Sequence, residues 1–386
     1  MDTAENFFAT CPRGLEGVLS AELSRLGATG VAPTPGGVGF AGPFTLCYRV
    51  NLESRIAGRV LWRIATAPYR SEDDIYRLAR GVSWPSLFTV TQTFAVTTVG
   101  RQCPLRSLHF VALRIKDAVC DQFRAVCQAR PSVDTEAPEV RIHAFLNEAM
   151  LSLYLDTSGE ALFKRGWRKS KGEAPLRENL AAGILHLAGW QPGVPLFDPM
   201  CGSGTFLIEA ALLALNIAPG LGRRFAFERL RNFDATAWQE MQEAARAAAK
   251  APVRLPIWGA DRDAAAVRHA RANLAEAGLA QSVEVKQEDV LDCHPPAANG
   301  LLVSNPPYGE RMGDAQALAD FYPQLASVLK RRFAGWTAWF FTADRRMPQL
   351  MRLAPSRRIP LYNGPLECRL YEIRLVAGSN RRRSTA

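Results

Sequence analysis

At 386 residues, 48% of them hydrophobic and 22% charged, the chain exceeds one typical domain of about 100–200 residues and has an ordinary globular composition, so two or three domains are expected and disorder only at the ends. The formal charge of +10 and the pI near 9.4 favour a polyanionic partner, although an arginine-rich composition can equally reflect a GC-rich genome. No apolar run approaches the roughly 20 residues of a membrane span. Residues 1–10 carry acidic side chains and no signal-peptide core, and the eight cysteines (Cys11, Cys47, Cys103, Cys120, Cys127, Cys201, Cys293, Cys368) form no Cys-x-x-Cys pair and have no histidine at metal-ligand spacing. A reduced, cytoplasmic, metal-free protein without membrane contact is expected.

Taken in chain order, residues 7–44 read as strand, helix, strand. Leu15, Val18, Leu19, Leu23 and Leu26 mark one helical face, Gly27 ends it, and 37–40 is a short strand. Residues 46–64 read as a second amphipathic helix. Ser71 followed by Asp74 marks a helix start, after which a strand over 93–99 and a helix over 108–126 are predicted. Val140, Ile142, Ala144 and Leu146 alternate, Asn147-Glu148 turns, and Leu151, Leu153 and Leu155 alternate back, the signature of a hairpin. Two small α+β modules, 1–45 and 46–157, are expected, followed by a basic linker over 158–175. Its Lys164, Arg165, Trp167, Arg168, Lys169 and Lys171 suit a grip on phosphates with a base stacked on the tryptophan; a solvated connector is the other reading.

Residues 176–386 read as a third, larger domain. A helix running to Leu187 precedes a strand that feeds Asp198-Pro199-Met200-Cys201-Gly202-Ser203-Gly204-Thr205 and then an apolar helix over 206–215. A dinucleotide fingerprint needs a third glycine where Leu207 stands, and a P-loop needs a Gly-Lys-Ser/Thr that is absent. Asp198 at the strand end would repel a pyrophosphate but suits a donor bearing an amino group and a sulfonium, S-adenosylmethionine. Gly202 and Gly204 would let the backbone approach it. The next strand, 257–261, ends on Asp261, where a ribose diol would bind. After a helix over 264–277 and a strand over 283–286, Asp289 stands where an adenine amine needs an acceptor. Each acidic residue alone reads as a helix cap; three at successive strand ends do not. The stretch 219–250 lengthens the first crossover and receives no role.

The fourth strand, Leu301-Leu302-Val303, runs into Ser304-Asn305-Pro306-Pro307-Tyr308-Gly309-Glu310-Arg311. Pro307 cannot donate to a sheet and biases Pro306 away from helix, which makes a rigid extended turn. An exocyclic amine is a poor nucleophile because its lone pair is conjugated into the ring. It needs two acceptors, here the side chain of Asn305 and the carbonyl of Pro306, with Tyr308 to stack on the base. Turn chemistry alone is the bland alternative. A helix over 315–332, an aromatic strand over 336–341, a helix over 347–353 and strands over 358–361 and 370–376, turning at Tyr362-Asn363-Gly364-Pro365, complete a mostly parallel sheet with an antiparallel edge. The tail Arg381-Arg382-Arg383 is expected to add nonspecific phosphate affinity.

With these two motifs, Gly172-Glu173-Ala174-Pro175-Leu176-Arg177-Glu178, Arg13-Gly14-Leu15-Glu16 and Asn363-Gly364-Pro365-Leu366-Glu367-Cys368, the chain resembles the RlmL family. These are THUMP-containing, S-adenosylmethionine-dependent methyltransferases that act on a guanine N2 of 23S ribosomal RNA. The resemblance implies an α/β fold: a Rossmann-like class I methyltransferase sheet with an antiparallel terminal hairpin, preceded by ferredoxin-like and THUMP modules that present RNA. It carries cofactor contact to Asp198, Pro199, Gly202, Gly204, Asp261 and Asp289, and the target-base site to Asn305, Pro306, Pro307 and Tyr308. Expected partners are 23S RNA or a large-subunit assembly intermediate, bound by a monomer. Some relatives are fused to a second methyltransferase, whose activity is not expected here. A transfer RNA guanine-N2 methyltransferase, a DNA adenine-N6 methyltransferase and an idle RNA-binding assembly factor stay open as alternatives.

Overall fold

In the computed structural model, which describes residues 4–168, 176–307 and 314–376, each of two units is organised around its own seven-stranded sheet. The first comprises Met1–Cys11, Leu19–Leu162 and Gly220–Ala244; the second comprises Pro12–Val18, Phe163–Pro219 and Ala245–Ala386.

The first unit runs β1 (Glu5–Thr10), α1 (Glu16–Arg25), β2 (Thr29–Thr34), β3 (Gly37–Gly42), α2 (Leu46–Glu53), β4 (Arg59–Pro68), α3 (Glu72–Gly81), α4 (Trp84–Leu87), β5 (Phe94–Gly100), α5 (Leu108–Cys127), β6 (Val140–Leu146) and β7 (Met150–Asp156). Its strand order is β2-β3-β1-β4-β7-β6-β5, with only β5 and β6 parallel. Local signals behave as their chemistry dictates. Ser71 and Asp74 form a reciprocal capping box on α3. The β6–β7 hairpin closes on Asn147, whose side chain accepts from the N–H groups of Ala149 and Met150 at 2.9 and 2.7 Å, and its alternating residues are buried.

Two expectations change. The helix read over 46–64 stops at Glu53, and Arg59–Pro68 is a strand. Glu22 breaks it by accepting from the N–H groups of Arg55 and Ile56 at 2.9 and 3.3 Å, after which β4 pairs with β1 and β7 at the centre of the sheet. Long-range pairing overrides a helical pattern here. The boundary at residue 45 therefore cuts through one continuous sheet. Strand β2 is absent from the sequence reading because it lies at the exposed edge and shows no apolar alternation.

The stretch without a role, 219–250, supplies part of this first unit's core. Phe227 stacks on Tyr48 with ring centroids 4.4 Å apart, Trp238 meets Phe227 edge-on at 5.1 Å, and the Asp234 N–H donates to the Tyr48 hydroxyl at 3.0 Å. Such aromatic pairs contribute about 0.5–1.5 kcal/mol each beyond their buried area. In the fold, 220–244 groups with the first unit and 12–18 with the second, so neither unit is one contiguous segment.

The second unit continues with α6 (Glu178–Leu187), β8 (Leu196–Asp198), α7 (Thr205–Ala214), α8 (Ala235–Ala248, which spans both units), β9 (Ile257–Asp261), α9 (Ala264–Glu276), β10 (Glu284–Gln287), β11 (Gly300–Ser304), α10 (Asp314–Arg332), β12 (Trp336–Thr342), α11 (Met347–Met351), β13 (Arg357–Asn363) and β14 (Leu366–Arg374). The order is β10-β9-β8-β11-β12-β14-β13. The first five are parallel, β14 pairs antiparallel with β12, and β13 pairs antiparallel with β14. The inner strands β8, β11 and β12 are buried and largely apolar, and one face of the sheet packs a core in which Phe197 and Phe333 stack at 6.0 Å beside Tyr322 and Trp336. From β8 the chain builds outward through β9 and β10, then returns to β11 on the other side. That reversal is the switch point of a doubly wound sheet, where ligands bind beyond the strand ends. No helix among the described residues is long and apolar enough to cross a membrane.

Candidate active site

Asp198 ends β8 almost wholly buried, 2% exposed. Its Oδ1 accepts from the Ser304 hydroxyl at 2.7 Å, which ties the ends of β8 and β11 together, and from the Met200 N–H at 3.2 Å. Burial pushes its carboxyl up to about 7; the Ser304 and Met200 bonds oppose that rise and the neighbouring Asp261 charge adds to it. The chain then turns through buried Pro199 into the glycine loop. Gly202 and Gly204 have φ of 54° and 81°, and a Cβ at Gly204 would sit 3.3 Å from that of Ala270. Both positions need glycine for backbone conformation, and Gly204 also for space.

Asp261 does more than end β9. Its Oδ2 accepts from the Gly202 N–H at 2.9 Å and its Oδ1 from the Asp263 N–H at 2.9 Å, so it fastens the glycine loop. Asn273 adds a bond from its side-chain amide to the Ser203 carbonyl at 3.1 Å. Asp289 is half-buried after β10, with its Oδ1 accepting from the Leu291 N–H at 2.9 Å. The three carboxylates stand on one edge of the sheet, beyond adjacent parallel strands.

The basic linker corrects its RNA-contact reading. Arg168 donates to Glu178 at 2.9 Å, to the hydroxyls of Ser203 and Thr205 at 2.9 Å each, and to the Leu176 carbonyl at 3.1 Å. Arg165 is buried with Glu209 at 3.3 Å. Trp167 is 5% exposed, and its indole N–H finds no acceptor among the described residues. These three residues are turned inward; Arg168 holds the glycine loop and the start of α7, and Arg165 pairs with Glu209 on α7. Their partners lie on α6 and α7, and nothing in the linker's own pattern announces them. Burial raises the Glu178 carboxyl, against the pull of Arg168. Lys164 is exposed, and Lys169 and Lys171 lie outside the described residues.

Asn305 follows Ser304 directly. Its Oδ1 is buried and accepts no hydrogen bond among the described residues. An acceptor in that condition carries an energetic cost of about 1–3 kcal/mol until a donor arrives, which is the fit a substrate amine would satisfy. Pro306 is buried, and the Pro307 carbonyl accepts from the Tyr322 hydroxyl at 3.4 Å. Tyr308 lies outside the described residues. Sequence reasoning did not single out Arg168 as a clamp on the loop, Glu178 as its anchor, or Asn273 and Tyr322. Glu178 and Ser304 sat inside motifs already noted, whereas Asn273 and Tyr322 carry no local signal.

An open sheet with a glycine loop at its switch point, carboxylates beyond successive strands and an Asn-Pro-Pro turn on the next strand defines a class I methyltransferase domain. Residues 165–372 match the family described as RMKL-like, methyltransferase domain; 69–156 match the THUMP domain and 6–61 the RlmL ferredoxin-like domain. The chain belongs to this RMKL-like methyltransferase family. It is 41% identical over 374 residues to a Synechocystis protein that carries the provisional name RNA methyltransferase, covering 97% of each. It is 42% identical over 378 residues to the ribosomal RNA large subunit methyltransferase K/L of Allochromatium vinosum, covering 96% of this chain and 51% of that protein. The chain thus spans about half the length of such K/L relatives. The crystal structure of SMU.472, provisionally a methyltransferase, complexed with SAH superposes with a TM-score of 0.89 at 31% identity, covering 98% of this chain and 100% of that one.

Proposed function

We propose that this chain transfers a methyl group from S-adenosylmethionine to the exocyclic N2 of a guanine in 23S ribosomal RNA, free or within an assembling large subunit. The observation that carries the amine-directed part is the Oδ1 of Asn305 beyond β11, buried and without a partner among the described residues, directly after Ser304, whose hydroxyl is tied to Asp198. The choice of ribosomal RNA rests on the family and on the K/L relatives.

When bound, S-adenosylmethionine supplies an electrophilic methyl group on a sulfonium. In this reading Gly202 and Gly204 let the backbone lie close to it, Asp198 faces its positive charge, Asp261 receives the ribose hydroxyls and Asp289 the adenine amine. Asn305 Oδ1 and the Pro306 carbonyl accept the two hydrogens of the guanine amine and draw its nitrogen out of conjugation. Tyr308 stacks on the base, a contact worth roughly 1–3 kcal/mol. Once methylated, the nitrogen releases one of its two hydrogens as a proton to water, so neither general base nor metal enters this account. Alignment of nitrogen, methyl and leaving sulfur contributes on the order of 7–11 kcal/mol of the barrier reduction.

The test incubates purified protein with labelled S-adenosylmethionine and RNA from cells lacking its gene, then identifies the modified nucleoside by mass spectrometry. N2-methylguanosine in the large ribosomal RNA is expected, and Asn305→Ala should remove it. Label in N6-methyladenosine, or in transfer RNA alone, overturns the substrate assignment; an undiminished Asn305→Ala overturns the role of the amide.

A further inference from the structure

Two motifs at opposite ends of the chain meet in the second unit, and the reaction described above uses neither. The Arg13 guanidinium lies over the Tyr362 ring, 4.5 Å from its centre. Gly14, at φ 95°, passes so close to β13 that a Cβ would stand 2.5 Å from the Pro360 carbonyl oxygen. Beside them Arg177 lies over Phe163 at 4.8 Å, with its Nη2 only 3.5 Å from where a Cβ on Gly364 would be. The hairpin tip therefore lies beside two stacked arginines.

Topology places this hairpin tip on a chosen edge. Strand β12 runs parallel to β11, so the residues after it leave on the same edge as Asn305. Strand β14 is antiparallel, with Arg369 opposite Thr342, which brings the β13–β14 turn to that edge as well. The edge is thus divided. Beyond β8, β9 and β10 stand Asp198, Asp261 and Asp289, whereas beyond β12, β14 and β13 the arginines outnumber the carboxylates.

Within the basic half the arginines differ. Arg345 and Arg369 share Glu367 at 2.7 Å each, and Arg346 pairs with Asp344 at 2.9 Å. Arg13 and Arg177 are exposed and have no carboxylate within 4.0 Å among the described residues. Stacking occupies the flat face of a guanidinium and leaves its N–H edge, the fork that matches a phosphate, directed away from the ring. Preorganised in this way, the side chain loses less entropy on binding an anion.

We propose that Arg13 and Arg177, held on Tyr362 and Phe163, bind phosphates of the RNA strand whose target base enters the Asn305 site. This rests on the functional reading above. It assigns the strand's path to the half of the sheet edge opposite the cofactor, and it gives the Arg13 and Asn363 motifs a joint task.

The test compares wild type, Arg13→Ala, Arg177→Ala, the double variant and the two lysine variants. Binding to protein-free large ribosomal RNA is titrated across salt concentration, with S-adenosylmethionine binding and methyl transfer measured in parallel. Each alanine should weaken RNA binding several-fold and lower the salt slope by about 0.7–0.9 for each phosphate no longer neutralised. S-adenosylmethionine binding should stay as in wild type, and lysine should restore most of the slope. A purely structural role would shift the thermal midpoint and leave the slope alone, which would overturn the proposal. So would a double variant with unchanged affinity and slope while wild type methylates the RNA. A wild type that methylates no RNA removes the functional reading and this inference together.

Discussion

Arg168 and Arg177 flank one short stretch of chain and carry the same guanidinium, yet the first is drawn inward and the second stays outside. Arg168 meets Glu178, two hydroxyls of the glycine-loop region and a carbonyl; Arg177 lies exposed on an aromatic ring. An arginine's task is decided by the acceptors that folding brings to it. A run of positive charge in the sequence cannot separate a clamp from a contact surface.

The comparison breaks most directly at Arg168. Arg168→Ala strands the buried Glu178 carboxylate, a change that costs about 3–5 kcal/mol when a buried pair loses one member, and it also loosens the glycine loop. Urea unfolding should show that loss together with weakened S-adenosylmethionine binding. Arg168→Lys should recover part of the stability but not the cofactor affinity, because an ammonium cannot span the four acceptors. Wild-type unfolding in Arg168→Ala would place Arg168 with the surface arginines.

Gly204→Ala tests the loop that Arg168 holds. A non-glycine residue at φ 81°, crowded by Ala270, costs on the order of 1–3 kcal/mol, so the unfolding midpoint and cofactor affinity should both fall. Retention of both would mean that the loop relaxes freely.

Asp198 gives a pH signature that the exposed patch lacks. Its folded-state carboxyl is raised from the ordinary 3.8 to about 7, so between those values the folded protein keeps a proton that the unfolded chain releases. Without cofactor, stability should therefore fall as pH rises from about 4 to about 7 and level off above. Asp198→Asn should be more stable than wild type at pH 8, with the gap closing towards pH 4. Binding a cation needs the ionised form, so S-adenosylmethionine affinity should drop about tenfold per pH unit below pH 7. Calorimetric titration showing a flat profile would sink this assignment.

The smallest effect is expected at Arg177. Arg177→Ala should cost no more than about 0.5–1 kcal/mol of stability, the worth of an exposed stacked cation, measured under the same urea conditions. A loss approaching that of Arg168→Ala would erase the distinction drawn between them.

Much of the site is legible in the sequence alone. Asp198, Asp261 and Asn305 stand at or just past strand ends because apolar runs of strand length stop there, Asp289 lies two residues beyond the short strand β10, and the two glycines of the loop adopt the left-handed backbone that their place in it requires. The linker misleads because Glu178 and Glu209 neutralise it from helices α6 and α7, and β4 misleads because its partners β1 and β7 lie on both sides of it in the sheet.

The sequence by itself determined the order of strands and helices around the glycine loop in the second unit, the loop itself, the acidic strand ends and the family likeness, since these follow from short-range periodicity and from motifs contiguous in the chain. Only the tertiary structure decided that 220–244 completes the first unit's core, that Asp261 and Arg168 fasten the glycine loop, and that Arg13 reaches Tyr362. Each of those contacts joins residues far apart in the chain through burial or hydrogen bonding, and such pairings leave no periodic trace in either partner alone.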